Sequence, residues 1–154
     1  MEIKQLNLNP EQINNDKVKN LYNQMQELIG KLNHKNLPSE TTQFINQQID
    51  VINSTELQDF QLRKFLKDKQ NAIVKKLEIV HKIVPKNYYR NLWTAVGMSA
   101  FGLPLGVVFG LSMGNIGLMA LGLPIGLAIG VGIGTSMDKK ALAEGRQIDM
   151  ELKF

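Results

Sequence analysis

Two consecutive stretches decide the fold: LWTAVGMSAFGLPLGVVFGLSMG (Leu92–Gly114) and NIGLMALGLPIGLAIGVGIGTSM (Asn115–Met137). Neither contains Asp, Glu, Lys, Arg or His. The hydrocarbon core of a bilayer is about 30 Å thick, and a helix needs about 20 residues to cross it. Because only helices and closed barrels satisfy every backbone group in lipid, we predict two membrane-spanning helices, Leu92–Met113 and Ile116–Met137. Gly114-Asn115 opens the turn between them.

The two spans repeat each other. ALGLPIGLAIG (Ala120–Gly130) aligns with AFGLPLGVVFG (Ala100–Gly110), so each span carries glycine at every fourth position. These glycines form two rows: Gly102, Gly106, Gly110 and Gly114 in the first span, and Gly122, Gly126, Gly130 and Gly134 in the second. Such a row makes a shallow groove on one helix face. Small residues let helices approach closely in lipid, so the rows predict helix packing of the zipper type.

The zipper can act within one hairpin or between protomers, and the sequence leaves both uses open. Folding back about Ile116 would set three glycine pairs level: Gly110 with Gly122, Gly106 with Gly126, and Gly102 with Gly130. The second span also carries another row of small residues on a different face: Ala128, Gly132 and Ser136. That row has no partner inside one hairpin, which makes it a candidate protomer contact and favours a homo-oligomer.

Pro104 and Pro124 occupy equivalent positions in the repeat. Each proline removes one backbone hydrogen bond and is expected to kink its helix. Proline is common in membrane helices, so a kink alone does not indicate a gate. Two kinks at equal depth would nevertheless suit a waist or hinge in a bundle.

Positive charge flanks the spans and is absent from the turn. Residues 75–90, directly before the first span, contain Lys75, Lys76, Lys82, Lys86 and Arg90 against Glu78 alone, and after the second span come Lys139, Lys140 and Arg146. The positive-inside rule then places both termini in the cytoplasm and the turn on the far side of the membrane. These bases adjoin the lipid bilayer and lack an aromatic-interleaved surface, so we expect no nucleic-acid binding.

Aromatic and basic residues cluster where the chain enters the membrane. The predicted interface anchors are Tyr88, Tyr89, Arg90 and Trp93 before the first span, and Lys139 and Lys140 after the second. Amphipathic rings and long basic side chains are typical of this depth, where one end is apolar and the other is wet.

The region before Pro85 has helical periodicity. A first helix is predicted from Pro10 to about His34, with a coiled-coil-type seam at Val18, Leu21, Met25, Leu28 and Leu32. Ser39 is the predicted cap of a second helix, and Ser54 or Thr55 that of a third. Three amphipathic helices predict a small cytoplasmic bundle, which we expect to be marginal by itself.

At the C-terminus, QIDMELKF (Gln147–Phe154) alternates apolar and charged side chains, a strand pattern. Its candidate partner is residues 2–8 of the same or a neighbouring protomer, and the alternative is a disordered tail. The predicted fold class is therefore all-α with one candidate strand. Its parts are a cytoplasmic helical bundle (1–84), an interfacial segment and transmembrane hairpin (85–137), and a cytoplasmic tail (138–154).

No set of residues indicates catalysis, a metal site or a cofactor. The chain has no cysteine, and its two histidines, His34 and His81, lack acidic residues at ligand spacing, so we interpret both as surface residues. The glycine-rich region has no phosphate-loop motif. Spans without ionisable groups disfavour a coupled transporter, and the N-terminus does not resemble a signal peptide. We expect a protein that is not an enzyme.

FGLPLGVVFG and LGLPIGLAIGVGIG, followed by MDKKALAEGRQIDMELKF, resemble the glycine-zipper family of small bacterial membrane proteins over residues 93–154. That resemblance implies a domain of the bacterial inner membrane that oligomerises, in a class with channel-like and pore-forming members. The architecture is also similar to large-conductance mechanosensitive channels, although in those the soluble domain follows the spans. Two functions are predicted. The first is a homo-oligomeric channel or pore whose cytoplasmic helices control assembly or gating. The alternative is a membrane-anchored scaffold or adaptor whose bundle binds a cytoplasmic protein.

Overall fold

The computed structural model describes residues 2–13 and 15–152. The chain divides into two compact units, Met1–Ile83 with Ile148–Phe154 and Val84–Gln147. It is mainly helical, as predicted, and has one short sheet. The tail predicted over 138–154 is not one segment, because residues 138–147 belong to the unit that contains the two long apolar helices.

Three helices build the first unit: α1 (Asp16–Asn33), α2 (Ser39–Asn53) and α3 (Asp59–His81). Helix α3 packs against both α1 and α2. The seam predicted on the first helix is confirmed, since all five of its positions are buried. Burial of these stripes drives the three helices together, because apolar area removed from water is the main favourable term in folding.

The predicted starts of the three helices are wrong. Pro10–Ile13 forms a 3-10 turn, and α1 begins at Asp16, where Asn15 Oδ1 accepts a hydrogen bond from Lys17 N–H (2.9 Å). Asparagine is among the best N-caps, so it outcompetes an earlier start. Ser39 is the first residue of α2 and not its cap. Ser54 ends α2, its N–H bonded to Asp50 O, so α3 starts only after a connecting segment.

The second unit contains two long helices. The first combines α4 (Tyr88–Gly97), a π-helical segment (Met98–Gly102) and α5 (Leu103–Ser112); the second combines a 3-10 segment (Ile116–Leu121) and α6 (Gly122–Ala143). Both are long and apolar enough to cross a membrane. Only 22% and 17% of their most apolar windows is buried, whereas the core helix of a soluble protein is mostly buried.

A two-stranded parallel sheet is formed by β1 (Val84–Lys86) and β2 (Gln147–Glu151). The predicted C-terminal strand is confirmed: Ile148, Met150 and Leu152 are buried, while the charged residues between them are exposed. Lys153 and Phe154 lie outside the described residues. The predicted partner, residues 2–8, is wrong, because side chains of α1 and α2 bind the main chain of that segment instead.

Candidate functional site

Glycine lies at every buried position between Asn91 and Met137. Here the two long helices approach so closely that the backbone of one occupies the space of a side chain on the other. A Cβ on Gly126 would lie 2.5 Å from the backbone nitrogen of Gly102, and one on Gly122 would lie 2.5 Å from the Cα of Gly106. Large apolar side chains of both helices are exposed on the outside of this pair.

The close approach continues towards the start of α4. A Cβ on Gly97 would lie 2.7 Å from the Cα of Gly130, and one on Gly134 would lie 2.5 Å from the Cα of Arg90. Gly97 was not among the predicted zipper residues, although it is one repeat away from Gly117. The contact therefore runs along most of the hairpin and is made by backbone on both sides.

The predicted register is wrong by one to two helical turns, since Gly102 lies beside Gly122 and Gly126 and not beside Gly130. Gly122 faces Gly102 and Gly106, and the neighbour of Gly110 is the Met119 side chain. The 3-10 segment before α6 rises about 2.0 Å per residue against 1.5 Å in an α-helix, which carries Gly122 farther from the turn. A Cβ on Gly114 would meet nothing within 4 Å, and the φ of +60° at this residue forms the turn.

The second small-residue row lies on the exposed side of α6. Ala128, Gly132 and Ser136 are all exposed, and a Cβ on Gly132 would meet nothing within 4 Å. This face has room for lipid or for another protein helix, and its use as a protomer contact remains a prediction.

Both prolines lie close to the start of an α-helical stretch that continues an earlier helical segment, so each removes a hydrogen bond from a continuous helix. Pro104 is the second residue of α5 and follows the π-helical segment, at whose end Leu103 N–H bonds to Met98 O. Pro124 is the third residue of α6 and follows the 3-10 segment. Each proline thus follows a change of helical type, and the predicted kinks and hinge remain predictions.

A buried carboxylate joins the two helices at the start of α4. Asp138, 7% exposed, lies on α6 and accepts hydrogen bonds from the N–H groups of Tyr89 (3.1 Å, to Oδ1) and Arg90 (2.9 Å, to Oδ2). The N-cap residue of α4, Asn87, has a left-handed backbone and makes no side-chain cap bond. Asp138 therefore caps α4 from another helix, satisfying donors that a helix start leaves unpaired and complementing its dipole.

Sequence reasoning missed Asp138. Its partners are backbone N–H groups, which carry no sequence signal. The neighbouring Lys139 and Lys140 favoured the interpretation of this stretch as basic membrane anchors. The available signal was an acid directly after a span and among several bases, where an unpaired carboxylate would be unfavourable.

The predicted interface anchors have different environments. Tyr89 is buried in a cluster with Val84 and Ala141, and its use as a membrane-interface anchor remains a prediction. Tyr88 and Trp93 pack against this cluster but are only partly buried, and Tyr88 meets the Tyr89 ring edge-on at 5.3 Å between centroids. Arg90 is half-buried, whereas Lys139 and Lys140 are exposed.

In the first unit, the N-terminal segment (residues 2–8) lies between α1 and α2. Asn46 and Asn53 of α2 each make two hydrogen bonds to the main chain of this segment. Asn46 accepts from Lys4 N–H (2.8 Å) and donates to Glu2 O (3.1 Å). Asn53 accepts from Asn7 N–H (2.7 Å) and donates to Gln5 O (3.1 Å). Two helical turns span about 10.5 Å and three extended residues about 10 Å, so the two asparagines match the spacing of an extended peptide.

His81, which we predicted to be a surface residue, is partly exposed and hydrogen-bonded. Its Nε2 lies 2.7 Å from the Thr41 hydroxyl, so it connects the end of α3 to the start of α2. Within residues 2–13 and 15–152, no group of three or more His, Cys, Asp or Glu residues is arranged to hold a metal ion.

No protein-family model, curated protein or solved structure matches this chain. The likeness to glycine-zipper membrane proteins therefore remains a prediction from the motif, and function has to be argued from the geometry.

Proposed function

We propose that this protein is a membrane-anchored adaptor. The hairpin holds the chain in the bacterial inner membrane, and the helical unit binds a cytoplasmic protein. The observation that carries this proposal is the burial of glycine alone between Asn91 and Met137, with each helix packed against the other helix of the same hairpin. The glycine rows are thus used within one copy, and their apolar outer surface needs only lipid around it.

Charge supports both termini lying in the cytoplasm. The turn near Gly114 carries no charge, whereas basic residues stand before α4 and at the end of α6. Neither span offers an ionisable group for a coupled transport cycle. In this proposal the hairpin is therefore the membrane anchor, and the helical unit binds the partner protein.

A homo-oligomeric channel is the second candidate. It is favoured by the exposed row of Ala128, Gly132 and Ser136, which would allow hairpins of neighbouring copies to approach closely. In that case the cytoplasmic helices would control assembly or gating around an apolar pore.

The orientation can be tested by cysteine labelling, because the natural chain contains no cysteine. Met113 is exposed beside the turn and Lys140 is exposed near the other end of the hairpin. We expect a membrane-impermeant maleimide to label Met113→Cys in intact spheroplasts, and Lys140→Cys only after lysis. Labelling of Lys140→Cys in intact spheroplasts would contradict the proposed orientation, and extraction of the protein by alkaline carbonate would contradict the anchor.

A further inference from the structure

The groove between α1 and α2 binds its present occupant mainly through the main chain. Besides the four bonds from Asn46 and Asn53, Asn33 Oδ1 accepts from Ile3 N–H (3.1 Å) and the Tyr22 hydroxyl donates to Leu6 O (3.0 Å). Four helix side chains thus make six hydrogen bonds to groups that every peptide has. This is the bonding of a strand added to a sheet edge, with helix side chains in place of the sheet.

The groove selects side chains at only a few positions of the segment. Ile3, Leu6 and Leu8 are buried, while Lys4 pairs with Asp50 of α2 (2.7 Å). Helix α2 contains Glu40 and Asp50 but no Lys or Arg, so its surface favours a basic ligand although the whole chain has a net charge of +4. The groove therefore suits an extended peptide with aliphatic residues at its first, fourth and sixth positions and a base at its second.

Space beside the segment indicates that the occupant can be replaced by a bulkier one. A cavity of 300 Å³ adjoins Leu6 and is lined by Ile29 and Gly30 of α1. A Cβ on Gly30 would meet nothing within 4 Å, so no packing within the described residues requires glycine there. Glycine is unfavourable in a helix interior, and at this position it leaves room for another backbone or side chain to approach.

We propose that this groove binds, in trans, an extended basic and aliphatic peptide of a cytoplasmic protein, and that the N-terminal segment occupies it until displaced. The inference rests on the proposed adaptor function and names the class of partner. Gln12, whose amide donates to Thr55 O and Leu57 O (2.9 Å each), keeps the chain attached to the bundle when the segment leaves.

The test uses the full-length protein in lipid nanodiscs and a fluorescein-labelled peptide of sequence EIKQLNLN, which copies residues 2–9. Ile3→Asp with Leu6→Asp should eject the segment, because a charge at a buried position is strongly unfavourable. Since a tethered segment competes at an effective concentration on the order of millimolar, this variant should bind the peptide at least about tenfold more tightly than the natural chain. Equal affinities would overturn the proposal.

Three further variants separate the groove from non-specific effects. Gln5→Asp is the control in the same segment, because the Gln5 side chain is exposed and only its main-chain oxygen is bound. The affinity of this variant for the peptide should equal that of the natural chain. Adding Asn46→Ala to the ejected variant should remove the gain. In the ejected variant, where Lys4 no longer competes, Asp50→Lys should weaken binding of the lysine peptide, and a peptide with glutamate in place of the lysine should restore it. Failure of this exchange would contradict the assigned pairing.

If the ejected variant does not fold, hydrogen exchange on the natural chain gives the answer. The amides of Ile3, Lys4 and Asn7 are bonded in the groove and should be protected. An excess of unlabelled peptide should accelerate their exchange, whereas unchanged protection at saturating peptide would overturn displacement. Both readouts report the groove alone, while carbonate extraction and maleimide labelling report the anchor, so the two proposals fail separately.

Discussion

Gly126→Ala is expected to destabilise the hairpin by about 1–3 kcal/mol, the usual cost of overpacking a tight contact. The added Cβ would lie 2.5 Å from the nitrogen and 2.6 Å from the Cα of Gly102. Both are backbone atoms of the opposite helix, so neither can turn aside as a flexible side chain would. The helices must separate, although alanine itself favours helix by up to about 1 kcal/mol over glycine.

Gly132→Ala is the matched control, on the same helix and with the same chemical change. No atom lies within 4 Å of its added Cβ, so only helix propensity should act and stability should stay equal or rise. Unfolding in detergent can be followed by the emission of Trp93, the only tryptophan, whose main chain lies against Gly130. Equal effects of the two substitutions would contradict backbone packing within the hairpin.

Asp138→Ala is expected to cost about 2–4 kcal/mol, because it leaves two buried N–H donors without their charged acceptor. Those donors are the N–H groups of Tyr89 and Arg90, so the first turn of α4 should fray and their amide exchange should accelerate. Asp138→Asn should be intermediate, since one oxygen is kept while an amide N–H₂ meets the other donor.

Lys139→Ala provides the comparison for this site. Lys139 follows Asp138 directly and is exposed, so its removal should change stability by no more than about 0.5 kcal/mol. Thermal unfolding of the purified variants measures both effects. A loss at Lys139 as large as that at Asp138 would show that charge near the membrane, and not the cap on α4, stabilises this end of the hairpin.

Features set by side-chain pattern were predictable from the sequence. The two long apolar helices follow from a charge-free run of sufficient length, the α1 seam from its apolar spacing, and β2 from strict alternation. Each of these features depends on which face of one element its side chains occupy. The spacing of apolar and polar residues along the sequence determines that face.

Features set by backbone partners were not predictable. The register of the hairpin depends on a 3-10 segment and on Met119 filling the space opposite Gly106 and Gly110, and these break the symmetry that the repeat suggests. Asp138 and Asn46 bind N–H and C=O groups far away in the chain, and such groups are identical at nearly every residue. The asparagine spacing on α2 is visible in the sequence, but the peptide that it holds is not.

The mass of the intact particle in nanodiscs, measured by native mass spectrometry, tests most directly whether the hairpin is an anchor whose glycine rows pack within a single chain. An anchoring hairpin predicts the mass of a single 17.3 kDa chain. Gly132→Leu, on the exposed row, should leave the particle a single chain. A closed ring of five or more copies that Gly132→Leu disperses would contradict the anchor and establish the channel in its place.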